Sequence, residues 1–310
     1  ALYNISGASA WSDLHSYLTS SVTADFRGEK LTLSSVRNLA YSADPAVRKE
    51  AYEAELACYE KIRDSVAFSL NSIKLEVINN ARLRGFESPL AQTLYNSRMT
   101  RKTLDALMAA MDEHLDIFRR YLRLKGEVLG HKNGIPWYDM FAPMGTNTKK
   151  YTVEEAKAYL LKIFRGFDND LANMVERAFD EAWIDFYPRE GKVGGAFCAN
   201  LDGHNQSRVL TNFDGSFSDI VTLAHELGHA FHNLNIAGHR PLNNDYSMPV
   251  AETASTLNEN VIMNAAIEKM LTRHAIRRFR PEQISEAELR QVLEAGLYAS
   301  APETIRNPAW

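Results

Sequence analysis

The sequence has 310 residues, of which 45% are hydrophobic and 24% are charged, and this balance excludes a disordered or collagen-like chain. Since 35 Lys and Arg residues stand against 39 Asp and Glu residues, for a net charge of −4, we expect no nucleic-acid partner, which would need a positive field. The apolar runs are too short to cross a bilayer, and two cysteines are too few for a disulfide framework. We therefore predict a cytoplasmic protein without a membrane partner.

The first half of the chain is predicted to be helical, because its apolar residues recur at steps of three and four. An Asp-Pro start and a glycine at the end delimit one long helix over residues 44–85. A second long helix is expected to begin at Thr100 and to end at Gly130. Prolines and glycines then predict a loop over residues 135–147. We assign residues 1–147 to one helical region.

The next segment is also predicted to be helical. Thr152 and Glu155 stand three residues apart, in the pattern of a capping box at a helix start. The apolar period that follows predicts helix as far as about Trp183, with a break near Gly166. This segment opens a second region, which we assign to residues 148–310.

A change of pattern marks residues 194–213, where period-two alternation and an Asp-Gly pair predict a β-hairpin. The hairpin leads through an Asp-Gly-Ser sequence directly into a helix that we expect over residues 217–236. The residues with the clearest chemical signature lie in this helix.

His225, Glu226 and His229 form the pattern HExxH. Two histidines four residues apart on a helix project from the same face and can bind one metal ion. Glu226 would lie close enough to act on a water molecule at that ion without being a ligand. An isolated histidine pair is more often a surface or core feature, so the assignment depends on what surrounds it.

A catalytic zinc site needs a third protein ligand, with the fourth position left for water. The best candidate is Glu252, in a helix that we predict over residues 249–270. Glu259 follows two turns later on the same helix face, where its carboxylate could accept the second ring N–H of a ligand histidine. The sequence thus predicts one Zn²⁺ per chain, bound by His225, His229 and Glu252.

Three segments closely resemble the oligoendopeptidase F branch of the M3 (thimet oligopeptidase) family of zinc metallopeptidases. They are GKVGGAFC at 191–198, TLAHELGHAFH at 222–232 and VAETASTLNE at 250–259, and a looser resemblance covers most of residues 10–265. It implies a mainly α, zincin-like fold of the neurolysin and thimet type, with a small β-sheet beside the metal. Residues 1–147 would form one wall of a deep cleft, and residues 148–310 would form the catalytic region. Alternatively, the two regions would form one continuous catalytic unit.

The resemblance also implies roles for individual residues. It gives the same three zinc ligands, makes Glu226 the general base and places Glu259 beside a ligand histidine. His232 matches a family histidine that could contact substrate or make a structural hydrogen bond. The same two possibilities are open for the residues that begin the hairpin, Gly194, Gly195, Ala196 and Phe197.

We therefore predict a zinc-dependent endopeptidase that hydrolyses internal bonds of short, unstructured peptides, which an enclosed cavity of the family type would admit. Two alternatives stay open: a zinc exopeptidase of the carboxypeptidase type, and a zinc-stabilised helical scaffold that binds peptides without turnover. The family's C-terminal segment, whose His and Tyr residues stabilise the oxyanion, has no match after about residue 270. The resemblance thus implies a chain that is incomplete at both ends, and the oligomeric state is not predicted.

Overall fold

The computed structural model describes residues 5–144 and 149–272, and this part of the chain is mainly helical, as predicted. Its α-helices are α1 (Ala10–Ser21), α2 (Leu33–Asn38), α3 (Pro45–Leu83), α4 (Pro89–Asn96), α5 (Arg101–Val128), α6 (Val153–Phe167), α7 (Asn169–Asp180), α8 (Phe217–Ile236) and α9 (Met248–Thr272). Its strands are β1 (Thr23–Phe26), β2 (Glu29–Thr32), β3 (Ile184–Asp185), β4 (Phe197–Leu201) and β5 (Gln206–Leu210). The predictions for residues 145–147 and 273–310 lie outside the described residues.

The chain divides into two compact units. Of the described residues, one unit contains 5–99 together with 141–144 and 149–265, and the other contains 100–140 with 266–272. All the predicted site residues belong to the first unit. The predicted assignment of residues 1–147 and 148–310 to two regions stays a prediction.

The two long helices begin where the sequence predicts. Asp44 accepts a hydrogen bond from the backbone N–H of Ala46, and Thr100 accepts one from Thr103, so each side chain caps its helix. The first of these helices, α3, ends just before Gly85, whose φ of +78° is the left-handed conformation expected of a glycine at a helix C-terminus.

The helix predicted from Thr152 to Trp183 is interrupted near Gly166, as predicted. The capping box at Thr152 is present, and α6 runs to Phe167 before Asp168 takes an extended conformation and caps α7 by accepting a hydrogen bond from Leu171. The break thus occurs where an aspartate can satisfy the amides of a new helix. Trp183 lies beyond the end of α7, with 1% of its surface exposed.

The main core of the first unit lies between α6, α7, α8 and the second sheet. Phe164, Trp183 and Leu223 are among its largest fully buried side chains. Burying an apolar side chain of this size contributes about 1.5–3 kcal/mol. The helix that carries the HExxH pattern is therefore anchored by the largest cluster of buried apolar residues that the structure describes.

The predicted hairpin is present within a three-stranded sheet of order β3-β5-β4. β4 and β5 pair antiparallel from Phe197↔Leu210 to Leu201↔Gln206, and a 3₁₀ turn with a left-handed Asn205 (φ +49°) joins them. The parallel strand β3, and the separate β1–β2 hairpin near the N-terminus, were not predicted from the sequence.

Elements from the N-terminal part of the first unit position the loop that precedes β4. The backbone N–H of Gly191 donates to the carbonyl of Ser20 in α1 at 3.1 Å, and Asn38 in α2 donates to the carbonyl of Asn212 at 3.2 Å. The amide of Asn212 in turn donates to the carbonyl of Gly195 at 2.9 Å. These bonds join the loop before β4 to the segment after β5.

Across the described residues, none of the helices has the length and apolar character needed to span a membrane. Cys58 and Cys198 are both free thiols. The cytoplasmic location stays a prediction.

Candidate metal centre

Helix α8 presents the two histidines of the HExxH pattern on one face. It begins at Phe217, where Ser216 and Asp219 form a capping box, and ends at Ile236, which matches the prediction of residues 217–236. The ring centroids of His225 and His229 are 4.8 Å apart, and their Nε2 atoms are separated by 3.2 Å. Both nitrogens are thus directed at one point, as an (i, i+4) pair allows.

The opposite face of α8 is buried. Leu223, Leu227 and Ala230 are all 0% exposed, and Leu234 packs against the same core. The helix therefore has an apolar face and an imidazole face, and the histidines are carried by an element with little freedom to move.

Helix α9 brings the third predicted ligand to the histidines by crossing α8 at Gly228. A Cβ atom on Gly228 would lie 2.6 Å from the carbonyl oxygen of Ala254 and 2.7 Å from Cα of Ser255, so only glycine permits this approach. The buried amide of Asn258 donates to the carbonyl of Ala224 at 3.0 Å, which ties the two helices together one turn further on. The crossing sets where Glu252 lies.

The three predicted ligands converge with the spacing of a metal site. Oε2 of Glu252 lies 3.3 Å from Nε2 of His225 and 3.4 Å from Nε2 of His229, and the three ligand atoms form one group. Ligand atoms bound tetrahedrally to zinc at about 2.0–2.1 Å stand about 3.3–3.4 Å from one another. The residues present therefore fit a zinc ion with two imidazole ligands and one carboxylate.

Hydrogen bonds to the outer ring nitrogens favour the tautomers that a metal requires. Nδ1 of His225 lies 2.5 Å from Oε1 of Glu259; because an ionised carboxylate only accepts, the imidazole donates from Nδ1 and keeps a lone pair on Nε2. Burial lowers the pKa of His229, opposed by the charge of Glu252 and by a hydrogen bond with the backbone of Ala251. Neutral imidazoles are the form that binds metal.

Glu226 is buried beside the three ligands, with 5% of its surface exposed. Burial raises the pKa of its carboxyl group to about 7; the charge of His225 opposes this shift, and those of Glu252 and Glu259 add to it. A carboxylate that takes up and releases a proton near neutral pH is suited to general acid–base chemistry. A cation bound by the three ligands would lower this pKa.

His232 lies on the same helix but outside the ligand group. Its ring stacks on Tyr246 with centroids 4.5 Å apart, and its buried Nδ1 has no hydrogen-bond partner among the described residues. The contact with Tyr246 joins α8 to the segment that leads into α9. Its role, in substrate contact or in structure, stays a prediction.

The four residues at the start of the hairpin, for which substrate contact is one prediction, lie where β4 begins. β4 contacts α8. Gly194, Gly195 and Ala196 lie in the loop, and Phe197 is the first residue of the strand, with 45% of its surface exposed. Contact of these residues with substrate stays a prediction.

Two residues near the candidate metal centre were not predicted from the sequence. Cys198 lies in β4, where burial raises the pKa of its thiol to about 11 and the charge of Glu226 adds to the shift. Asn258 lies in the same motif as Glu252, one residue before Glu259. It lies seven residues after Ala251 and four before Ile262, on an apolar helix face, and this spacing could have indicated a buried polar residue but not its partner in α8.

The sequence was compared with known protein families and curated proteins. The model of Peptidase family M3 matches residues 38–309, so the match continues past residues 10–265, which carry the resemblance in the sequence. Group B oligopeptidase PepB of Streptococcus agalactiae is 29% identical over 252 residues, 80% of this chain and 42% of that protein. The chromosomal oligoendopeptidase F of Lactococcus lactis subsp. cremoris is 30% identical over 246 residues, 78% of this chain and 40% of that protein. The chain thus spans about two fifths of the length of these relatives.

Solved structures share the fold. PZ peptidase A, determined with an inhibitor, aligns with a TM-score of 0.74 and 18% identity over 85% of this chain and 49% of that chain. An oligoendopeptidase F from Enterococcus faecium aligns with a TM-score of 0.51 and 20% identity over 94% of this chain and 44% of that chain. The predicted mainly α fold of the M3 type is confirmed.

Proposed function

Because the chain belongs to Peptidase family M3, we propose that it contains the metal centre of a zinc-dependent endopeptidase that hydrolyses internal bonds of short, unstructured peptides. The observation that carries this proposal is the convergence of His225, His229 and Glu252 at 3.2–3.4 Å, with the carboxylate of Glu226 buried next to them. The names of the relatives, oligopeptidase and oligoendopeptidase, support the substrate class.

The three ligands would hold one zinc ion per chain. Bound zinc supplies a Lewis acid that acidifies water and polarises a carbonyl group. His225 would be oriented by Glu259 through the hydrogen bond at Nδ1, which also makes its Nε2 a better electron donor.

Glu226 would act as the general base. Its carboxylate takes a proton from the attacking water and later delivers that proton to the amine of the leaving peptide. Burial raises the pKa of this carboxyl group and so opposes the lowering by a bound cation, which favours the uptake of the proton that is later delivered. General acid–base catalysis of this kind contributes about 10²–10⁴-fold to the rate.

The outer edge of β4 would bind the substrate as an added strand. Within the described residues, β4 ends the order β3-β5-β4, so it pairs on one side only. An extended peptide could complete the backbone hydrogen bonds of that edge, with Phe197 exposed beside it. Recognition through the backbone would explain a tolerance for many sequences.

Metal binding is tested on the chain itself. Elemental analysis after dialysis measures the zinc content of the protein. We expect one zinc ion per chain in the wild type and about none in His229→Ala. A His229→Ala protein with the zinc content of the wild type would remove this residue from the ligand set.

Activity is tested on the full-length gene product, using an internally quenched peptide with both ends blocked. We expect cleavage, and we expect Glu226→Gln to keep its zinc while losing about 10²–10⁴-fold in rate. Retained activity would contradict the role of Glu226. Cleavage that requires a free terminus would indicate the exopeptidase alternative, and zinc binding without turnover would indicate a scaffold.

A further inference from the structure

Among the three proposed ligands, Glu252 has the least restricted side chain. Its side chain is 45% accessible, against 26% for His225 and 18% for His229. A glutamate with this exposure has several rotamers available, and holding one of them costs conformational entropy. A well-formed site therefore needs a group that keeps the Glu252 carboxylate directed at the imidazoles.

The hydroxyl group of Ser255 is placed to hold that carboxylate. Ser255 is 0% exposed, and its Oγ lies 2.8 Å from Oε2 of Glu252. This is the same oxygen that lies 3.3 and 3.4 Å from the two imidazole Nε2 atoms. Because an ionised carboxylate only accepts, the hydroxyl donates, and a hydrogen bond to a charged acceptor is stronger than a neutral one.

We propose that Ser255 is a positioning residue for the third metal ligand: its hydroxyl holds Oε2 of Glu252 in the rotamer that faces both histidines. The inference rests on the proposed zinc site. One lone pair of Oε2 accepts from Ser255 and another remains for the ion, so positioning and metal binding are compatible at one oxygen.

The position of Ser255 is itself determined by the crossing of α8 and α9. Its Cα would lie 2.7 Å from a Cβ atom on Gly228, so the backbone of Ser255 lies directly against α8. Asn258, one turn further on, donates to the carbonyl of Ala224 at 3.0 Å and keeps the two helices in this relation. The hydroxyl is therefore offered to Glu252 from a fixed backbone.

The competing explanation is a local bond within α9. The Ser255 hydroxyl also lies 3.1 Å from the backbone carbonyl of Glu252, a common serine contact in helices. The neighbouring Thr256 provides a matched control, since its exposed hydroxyl donates to that same carbonyl at 2.5 Å, and no bond from it to the carboxylate is found.

The experiment compares Ser255→Ala with Thr256→Val in the intact chain. Zinc affinity is measured by competition with a chromophoric chelator, and the ligand geometry by the visible absorption of the Co²⁺-substituted protein. Loss of a group that orients a metal ligand commonly costs 10–100-fold in affinity, so we expect Ser255→Ala to bind zinc about 10-fold more weakly and to change the Co²⁺ spectrum. Thr256→Val should bind within about twofold of the wild type. Alanine is smaller than serine and a better helix former, so Ser255→Ala should fold. Urea unfolding of the zinc-free protein checks this.

Equal zinc affinity and Co²⁺ spectra for Ser255→Ala and the wild type would overturn the inference. An equal loss in both variants would also overturn it, because the effect would then come from the helix backbone. Failure of the proposed function gives a different result, since the wild type would then bind no zinc, or His229→Ala would bind as much as the wild type.

Discussion

The substitution Gly228→Ala tests whether the close crossing of α8 and α9 assembles the metal centre. The added Cβ would lie 2.6 Å from the carbonyl oxygen of Ala254 and 2.7 Å from Cα of Ser255. Both contacts are with backbone, which has no rotamer that could relieve them. Since carbon atoms in contact lie about 3.5 Å apart, α9 would have to move away by roughly 0.8 Å at this point.

The magnitude follows from two opposed effects. Overpacking of a well-packed crossing costs about 1–3 kcal/mol, whereas alanine is favoured over glycine inside a helix by about 0.8–1.0 kcal/mol. We therefore expect a net loss of up to roughly 2 kcal/mol in the free energy of unfolding. The separation of Glu252 from the histidines would grow to about 4 Å, too long for tetrahedral zinc, so zinc affinity should fall at least about 10-fold.

Urea unfolding of the zinc-free protein and chelator competition measure these two quantities. The matched control is Gly166→Ala in α6, an exposed helical position where an added Cβ would meet no atom within 4 Å. We expect the control to gain up to about 1 kcal/mol without any change in zinc affinity. If Gly228→Ala gained stability as the control does, or bound zinc as tightly as the wild type, the argument from the crossing would be refuted.

Two further predictions concern titrating groups. Hydrogen bonding to Arg189, opposed by burial, lowers the pKa of Asp185 to about 2; its stabilising contribution is therefore complete above about pH 4 and lost as the pH falls towards 2. Solvent screening of this partly exposed carboxylate limits the contribution to about 1 kcal/mol. Asp185→Asn should therefore lose about 1 kcal/mol in the free energy of unfolding by urea at pH 7, and less at pH 2. Equal losses at both pH values would contradict the argument. Burial raises the pKa of the Cys198 thiol to about 11; only about 0.1% is thiolate at pH 8, against about a quarter of an unperturbed cysteine. The rate of alkylation by iodoacetamide, measured by mass spectrometry, should therefore be much lower for Cys198 than for a peptide thiol, and it should increase as the pH rises towards 11. Equal rates for Cys198 and a peptide thiol at pH 8 would contradict this.

Features with a local physical cause were predictable from the sequence. The caps at Asp44 and Thr100 satisfy amides within their own first helical turn, so nearby residues determine them. The pair of His225 and His229 is likewise a consequence of helix geometry alone. The break predicted near Gly166 has a local cause of the same kind, because Asp168 caps the helix that follows it.

Features that depend on distant partners were not predictable in the same way. Strand β3 has two residues, Ile184 and Asp185, and exists because they pair in parallel with Val209 and Leu210. Two residues carry no readable period, and the pairing joins segments that are separated along the chain by β4 and a 3₁₀ turn. The strands of the β1–β2 hairpin have only four residues each. Its turn at Arg27 and Gly28 has positive φ at both residues, which the glycine alone does not specify.

The third ligand shows where the two kinds of information meet. Ser255 and Thr256 follow Glu252 by three and four residues, so helix geometry allows either hydroxyl to approach its carboxylate. Only Ser255 is buried and bonded to Oε2, because α9 turns that side towards α8 at Gly228. The sequence motif therefore predicts the ligands, whereas the choice of the hydroxyl that bonds to Glu252 depends on the close approach of the two helices at Gly228.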